Sequence, residues 1–135
     1  MSKITIGRQE KANLPTFGLT NKVVKIDSGA FTSSIDIISI EEVDSNLLVV
    51  FEKDGPAIKF ENFTRKSIKS SNGITQLRYV IEGEIQLGDK IYKTPFSLTD
   101  RSGMKYPILL GRKLLNKNFI IDTSKKNLIK LKEEF

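Results

Sequence analysis

The chain contains neither cysteine nor histidine. Without cysteine there is no disulfide framework and no thiol nucleophile, a composition that suits a reducing compartment. With histidine missing as well, only carboxylates remain as zinc ligands, and these rarely build a zinc site alone, so no metal and no other cofactor is expected. A Gly-rich loop ending in Lys-Ser or Lys-Thr is also missing, which leaves a nucleotide phosphate without a visible seat. No apolar stretch approaches the ~18 residues of a membrane span. Met1 to Gln9 hold no apolar run of signal-peptide length, so the expectation is a soluble, cytoplasmic protein with no membrane partner. Internal repeats, low-complexity tracts, linkers and long helical periodicity are not evident.

What is present is a chain of 135 residues, read as one domain spanning residues 1–135 and long enough to bury ~68% of its unfolded surface in one core. Its net charge of +6 raises the question of a nucleic-acid partner, and a basic nucleic-acid-binding β-domain is one alternative reading. The charge pattern argues against it. Lysines are spread along the chain with acids between them, as at Glu41-Glu42 and Glu133-Glu134, and aromatic residues are not spaced among the basics. The densest run, Lys125 to Lys132, alternates like an edge strand, where lysine discourages aggregation. A solvated basic face is the simpler reading, and nucleic acid is not the expected partner.

Period-two alternation dominates the rest. Ile4 and Ile6 suggest a short first strand, and Leu14-Pro15 with Gly18 mark a loop. Val23 to Asp27 reads as a strand, Ile35 to Ile40 as a single β-branched strand, and Leu47 to Phe51 as another, closed by the turn signal Asp54-Gly55-Pro56. Ile58 and Phe60 alternate with Lys59 and Glu61. Ser70, Ser71, Asn72 and Gly73 offer a tight hairpin turn. Tyr79, Ile81, Ile85 and Leu87 share one strand face, with Arg78, Glu82, Glu84 and Gln86 on the other, and Gly88-Asp89 turns the chain into Ile91 to Leu98. Thr99 to Lys105 is a polar loop, Pro107 to Leu110 an apolar strand, Arg112 to Asn116 one helical turn, and Phe119 to Ile121 with the Lys-rich tail are closing strands. The pattern is nearly all β.

Two stretches carry chemistry. Val23 to Ala30 is an apolar-rich strand that runs into an acid, a hydroxyl residue and a glycine. A carboxylate at the end of a buried strand is costly to desolvate unless hydrogen bonds or a shared proton compensate. Gly29 lets the chain turn and leaves backbone N–H groups to point back at Asp27, while Ser28 can tie the loop through its hydroxyl. An ordinary strand-ending turn is the alternative for the tripeptide alone. Downstream, Tyr106 to Leu115 places large aliphatics, including Leu109 and Leu110, before Gly111-Arg112.

In this order the two stretches resemble the retropepsins, the retroviral-type aspartic proteases, in which a hydrophobic-hydrophobic-Gly segment passes beside the catalytic loop and a short helix follows. The similarity is closest to a bacterial and archaeal branch labelled ATP-dependent zinc protease, with the pattern Lys-Ile-Asp-Thr-Gly-Ala, Thr-Ser, Leu-Thr-Asp-Arg and Leu-Leu-Gly-Arg. Here these stand as Lys25 to Ala30, Thr32-Ser33, Leu98 to Arg101, and Leu109 to Arg112, and the likeness runs from about Ile6 to Asp122. Neither the zinc nor the ATP of that label has support in the residues. The resemblance implies an all-β, closed barrel of the acid-protease type with one short C-terminal helix.

It also implies that Asp27 is catalytic, that Ser28, Gly29 and Ala30 support it, and that the hairpin around Ser70 to Gly73 is a flap over the site, a plain surface hairpin being the alternative. Asp100 and Arg101 are then an ion pair or a wall of the cleft, and Arg112 anchors the helix through an acid that the sequence does not reveal. Aspartic-protease chemistry needs two carboxylates sharing one proton, yet only one such loop is present, so the second would be Asp27 of another copy in a twofold homodimer. The expected partners are a peptide or protein substrate and a second chain. Because the branch is associated with enzymes that add glutamate to proteins, an acidic-tailed protein is the implied substrate. Two departures permit a different outcome, a peptide-binding or dimerisation module without turnover. Ser28 replaces the commoner Thr and loses a methyl group, and Phe31-Thr32 stand where retroviral enzymes carry two acids.

Overall fold

The computed structural model describes residues 3–69, 73–99 and 106–130. In chain order they form β1 (Ile4–Ile6), β2 (Gln9–Leu14), a 3-10 turn (Pro15–Phe17), β3 (Leu19–Ile26), β4 (Ser33–Asp36), β5 (Ser39–Val43), β6 (Asn46–Val50), β7 (Ala57–Phe60), β8 (Thr64–Lys69), β9 (Thr75–Leu87), β10 (Lys90–Thr99), β11 (Ile108–Leu110), helix α1 (Arg112–Asn118) and β12 (Phe119–Ile121). Neighbouring strands run β10, β4, β11, β3, β2, β9, and β9 pairs again with β10, so six strands close into a barrel. Closure leaves no unpaired edge in the ring. The closed all-β barrel with one short helix is therefore the fold, as the resemblance implied. Among the described residues no helix is long and apolar enough to cross a membrane.

Two features outside the ring bear on the site. The 13 residues of β9 serve two partners: Val80 to Leu87 pair with β10, and Thr75 to Val80 pair with β8. The β8–β9 hairpin thus projects from the barrel. A separate sheet of β5, β6 and β7 turns Leu47, Val49 and Phe60 into the same core as Ala12, Val24, Ile35, Ile85 and Leu110. Phe17 joins the two, its ring 5.0 Å from Phe51, 5.9 Å from Phe60 and 5.3 Å from Phe96. A Cβ at Gly83 would lie 2.7 Å from the Phe17 ring, so only glycine lets this aromatic plug seat against β9.

Two expectations need correction, and one strand was missed. The β-branched run Ile35 to Ile40 is not one strand, because the chain changes sheets within it. Ile37 N–H donates to Thr99 O on the barrel (2.9 Å) and Ile38 N–H to Val50 O on the small sheet (2.7 Å). Strand β2 was hidden because one of its inward positions is an acid: Glu10, Ala12 and Leu14 are buried while Lys11 is exposed. The Lys-rich tail is not a strand over residues 122–130.

The last two share one cause. The fully buried Glu10 carboxylate accepts from Gly7 N (2.8 Å), Leu128 N (3.0 Å) and Ile129 N (2.9 Å). These three donors replace the water that burial removes. Amides 128 and 129, spent on a side chain, are not available to a strand ladder. Arg8 N–H to Lys125 O (2.7 Å) and Asn127 N–H to Gln9 O (2.9 Å) complete the strap, and Gly7 permits it, since a Cβ there would meet Lys125 O at 2.4 Å. Glu10→Ala should therefore lower unfolding stability by about 2–4 kcal/mol in urea titration, with Glu10→Gln losing less because it keeps one acceptor oxygen.

Candidate active site

Strand β3 delivers Asp27 and β11 holds it. The two run in parallel, with Leu109 opposite Lys25 and Leu110 opposite Ile26, and Asp27 N–H continues the pairing to Leu110 O at 2.9 Å. The loop then turns tightly: Ala30 N–H donates to Asp27 O (3.2 Å) and Gly29 N–H donates to Asp27 Oδ1 (3.1 Å). A backbone donor on this half-buried carboxylate fixes its direction. Ser28 enters through its main chain, its carbonyl accepting from Arg112 Nη1 at 3.0 Å.

The far side of the loop is stitched to the start of α1. The first amides of a helix have no partner within it. Here Arg112 N–H donates to Ala30 O (2.8 Å) and Lys113 N–H to Phe31 O (2.9 Å), while Gly111 N–H donates to the buried Ser33 Oγ (3.0 Å). Loop carbonyls and helix amides thus satisfy each other. The approach is close enough that a Cβ on Gly111 would lie 2.8 Å from Phe31 O and Thr32 C.

Among the described residues Arg112 is bonded to no acid. Its guanidinium bonds the Ser28 carbonyl and lies 5.8 Å from the centre of the Phe31 ring. With Phe31 and Thr32 in place of acids, a carbonyl and an aromatic face are what the loop offers a cation. Phe31 stays 54% exposed beside the site.

Asp27 borders a cleft of about 1050 Å³. Its lining includes Ser34, Glu82, Pro95, Ser97 and Leu109 from the barrel, and Arg65, Lys66 and Arg78 from the β8–β9 hairpin. Of the flap residues, Ser70, Ser71 and Asn72 lie outside the described residues, as do Asp100 and Arg101. Gly73 has φ +86° and is not among the residues lining the cleft, so the body of the hairpin, rather than Gly73, borders Asp27's cleft. Ala30 and Leu109 line it, whereas Leu110, Gly111 and Arg112 act from behind the loop.

The sequence reading did not single out the cations Arg65, Lys66, Arg78 and Lys113 as cleft residues. The one available signal was the alternation Arg78, Val80, Glu82 on the polar face of β9. Among the described residues no cluster of three acids could hold a metal ion.

A family model described as "RimB-like: Retropepsin-like aspartic endopeptidase RimB" matches residues 5–132. The chain belongs to this retropepsin-like family. It is 33% identical over 141 residues to a probable alpha-L-glutamate ligase of Shewanella pealeana, covering 91% of this chain and 29% of that protein. It is 28% identical over 135 residues to a protein of the same name from Parasynechococcus marenigrum, covering 89% of this chain and 28% of that one. The chain thus spans under a third of the length of these relatives, which carry a ligase name rather than the zinc-protease label. A crystal structure of a Legionella pneumophila protein of unknown function superposes with a TM-score of 0.76 at 29% identity, covering 96% of this chain and all of that one.

Because the Gly111 contacts are with backbone that cannot rotate away, Gly111→Ala should displace the Asp27 loop. The expected cost is about 2–3 kcal/mol in unfolding stability, with faster amide exchange at Ala30 and Arg112.

Proposed function

We propose that this chain is an aspartic endopeptidase whose site is completed by a second copy. The observation that carries the reading is Asp27 itself: a carboxylate held by main-chain bonds at the edge of a cleft, on a loop of which the chain has one. Two such loops facing across a twofold axis bring identical carboxylates together. Like charges at that distance hold one proton between them. The ionised member takes a proton from water, whose oxygen attacks the scissile carbonyl, while the protonated member hydrogen-bonds the carbonyl oxygen that gains charge. Collapse of the tetrahedral intermediate breaks the C–N bond as the nitrogen is protonated, and no metal enters the scheme.

An acidic, glutamate-bearing polypeptide is the substrate class that best fits. Four cleft cations, Arg65, Lys66, Arg78 and Lys113, face three acids, Asp27, Glu61 and Glu82, and the relatives of S. pealeana and P. marenigrum are named for glutamate ligation. The second reading, a peptide-binding module without turnover, is favoured by Phe31, which stands exposed where acids would hold substrate backbone.

Asp27→Asn separates the two. The amide keeps the shape and cannot act as base, so cleavage of a glutamate-rich peptide should fall by at least about 10²-fold with the unfolding midpoint unchanged. Undiminished cleavage would remove Asp27 from the mechanism, and binding without cleavage by the wild type would leave the module. Specific activity should also fall on dilution, because each copy supplies half of the site; a constant value across a dilution series that sedimentation shows to reach the monomer would place the second group within one chain.

A further inference from the structure

A side-chain cluster outside the Asp27 loop lies where the β5–β7 sheet meets the β8–β9 hairpin. Arg65 on β8 stands opposite Tyr79 on β9. Its guanidinium lies 5.6 Å from the Tyr79 ring and 5.3 Å from the Phe63 ring, and the two rings meet edge to face at 5.7 Å. Glu42, from β5, closes this box: one carboxylate oxygen accepts from Arg65 Nη2 and the other from the Tyr79 hydroxyl at 3.0 Å. Hydrogen bonds from Arg65 and then Tyr79 hold the Glu42 carboxyl below its ordinary range.

Arg65 and Phe63 line the Asp27 cleft, whereas Glu42 and Tyr79 do not. The cluster is therefore one-sided: the wall residues face the cleft, and an acid from another sheet fixes them from behind. Among the described residues β8 pairs with β9 alone. Beyond the continuity of β9 into the barrel, the hairpin's orientation rests on side chains at its base, and Glu42 bonds both of its strands there.

We propose that Glu42 is a positioning residue: through Arg65 and Tyr79 it fixes the β8–β9 hairpin as the wall of the substrate cleft, so that the small β5–β7 sheet tunes peptide binding without touching peptide. The assignment rests on the reading of this cleft as the peptide site. It predicts a change in substrate binding rather than in the chemical step, because Asp27 is held by β11 and α1, which Glu42 does not contact.

The experiment is Glu42→Gln in the full chain, with two readouts. Hydrogen exchange of the β8 and β9 amides between residues 64 and 80 needs no turnover, and kinetics on a glutamate-rich peptide separates KM from kcat. Loss of one exposed charge-assisted contact should speed exchange roughly two- to fivefold and raise KM by a similar factor, with kcat nearly constant. Tyr79→Phe, which keeps the ion pair, should move both in the same direction by less. Unchanged exchange, or a fall in kcat with KM unmoved, would overturn the proposal. A wild type with no peptidase activity would instead count against the function proposed above; the latch then stands or falls on exchange, together with the affinity for the same peptide measured by calorimetry.

Discussion

The structure depends on one mutual debt of hydrogen bonds, between the carbonyls of the Asp27 loop and the first amides of α1. A tight loop after a buried strand leaves carbonyls that no ladder can take, and a helix start leaves amides that no turn can take. Placing one against the other satisfies both without water. That solution demands three things of the sequence: a parallel β3–β11 pair to bring the ends together, a residue without a side chain at Gly111, and a helix that begins at once, at Arg112. The Asp27 carboxylate inherits its direction from this arrangement.

The same logic explains what was legible from sequence. Asp27-Ser28-Gly29 and Leu110-Gly111-Arg112 are short, chemically unusual and dictated by local backbone geometry, so they show in the residues. The β9–β10 hairpin was equally clear, because its inward positions are apolar and its turn is Gly88, at φ +69°. Strand β2 failed for the opposite reason: Glu10 occupies an inward position, and its compensation comes from residues 128 and 129 at the far end of the chain. No local window contains both halves of that bargain. The tail failed with it, since alternation suggests a ladder only when the amides are free to join one.

The cleft was the least legible part. Arg65, Lys66, Arg78 and Lys113 come from three elements, and nothing in their local context distinguishes them from the other lysines and arginines of a chain with net charge +6. Arg112 shows the converse problem. Its type predicts an acidic partner, but among the described residues it meets Phe31 and a main-chain carbonyl, and a guanidinium suits either because its charge is spread over a flat, weakly hydrated surface.

These placements divide the molecule by how firmly each part is held. The carboxylate rests on main-chain bonds from β11 and α1, inside a barrel whose ring is closed. The cationic wall rests on a hairpin attached to that ring by one strand, with side chains fixing its base. Under the proposed endopeptidase activity, chemistry on a peptide bond requires the first to stay within about a few tenths of an ångström, while admitting and releasing a chain requires the second to yield. A carboxylate positioned by backbone and a wall positioned by side chains meet both requirements, because exposed side-chain contacts break at much lower cost than a barrel ladder does.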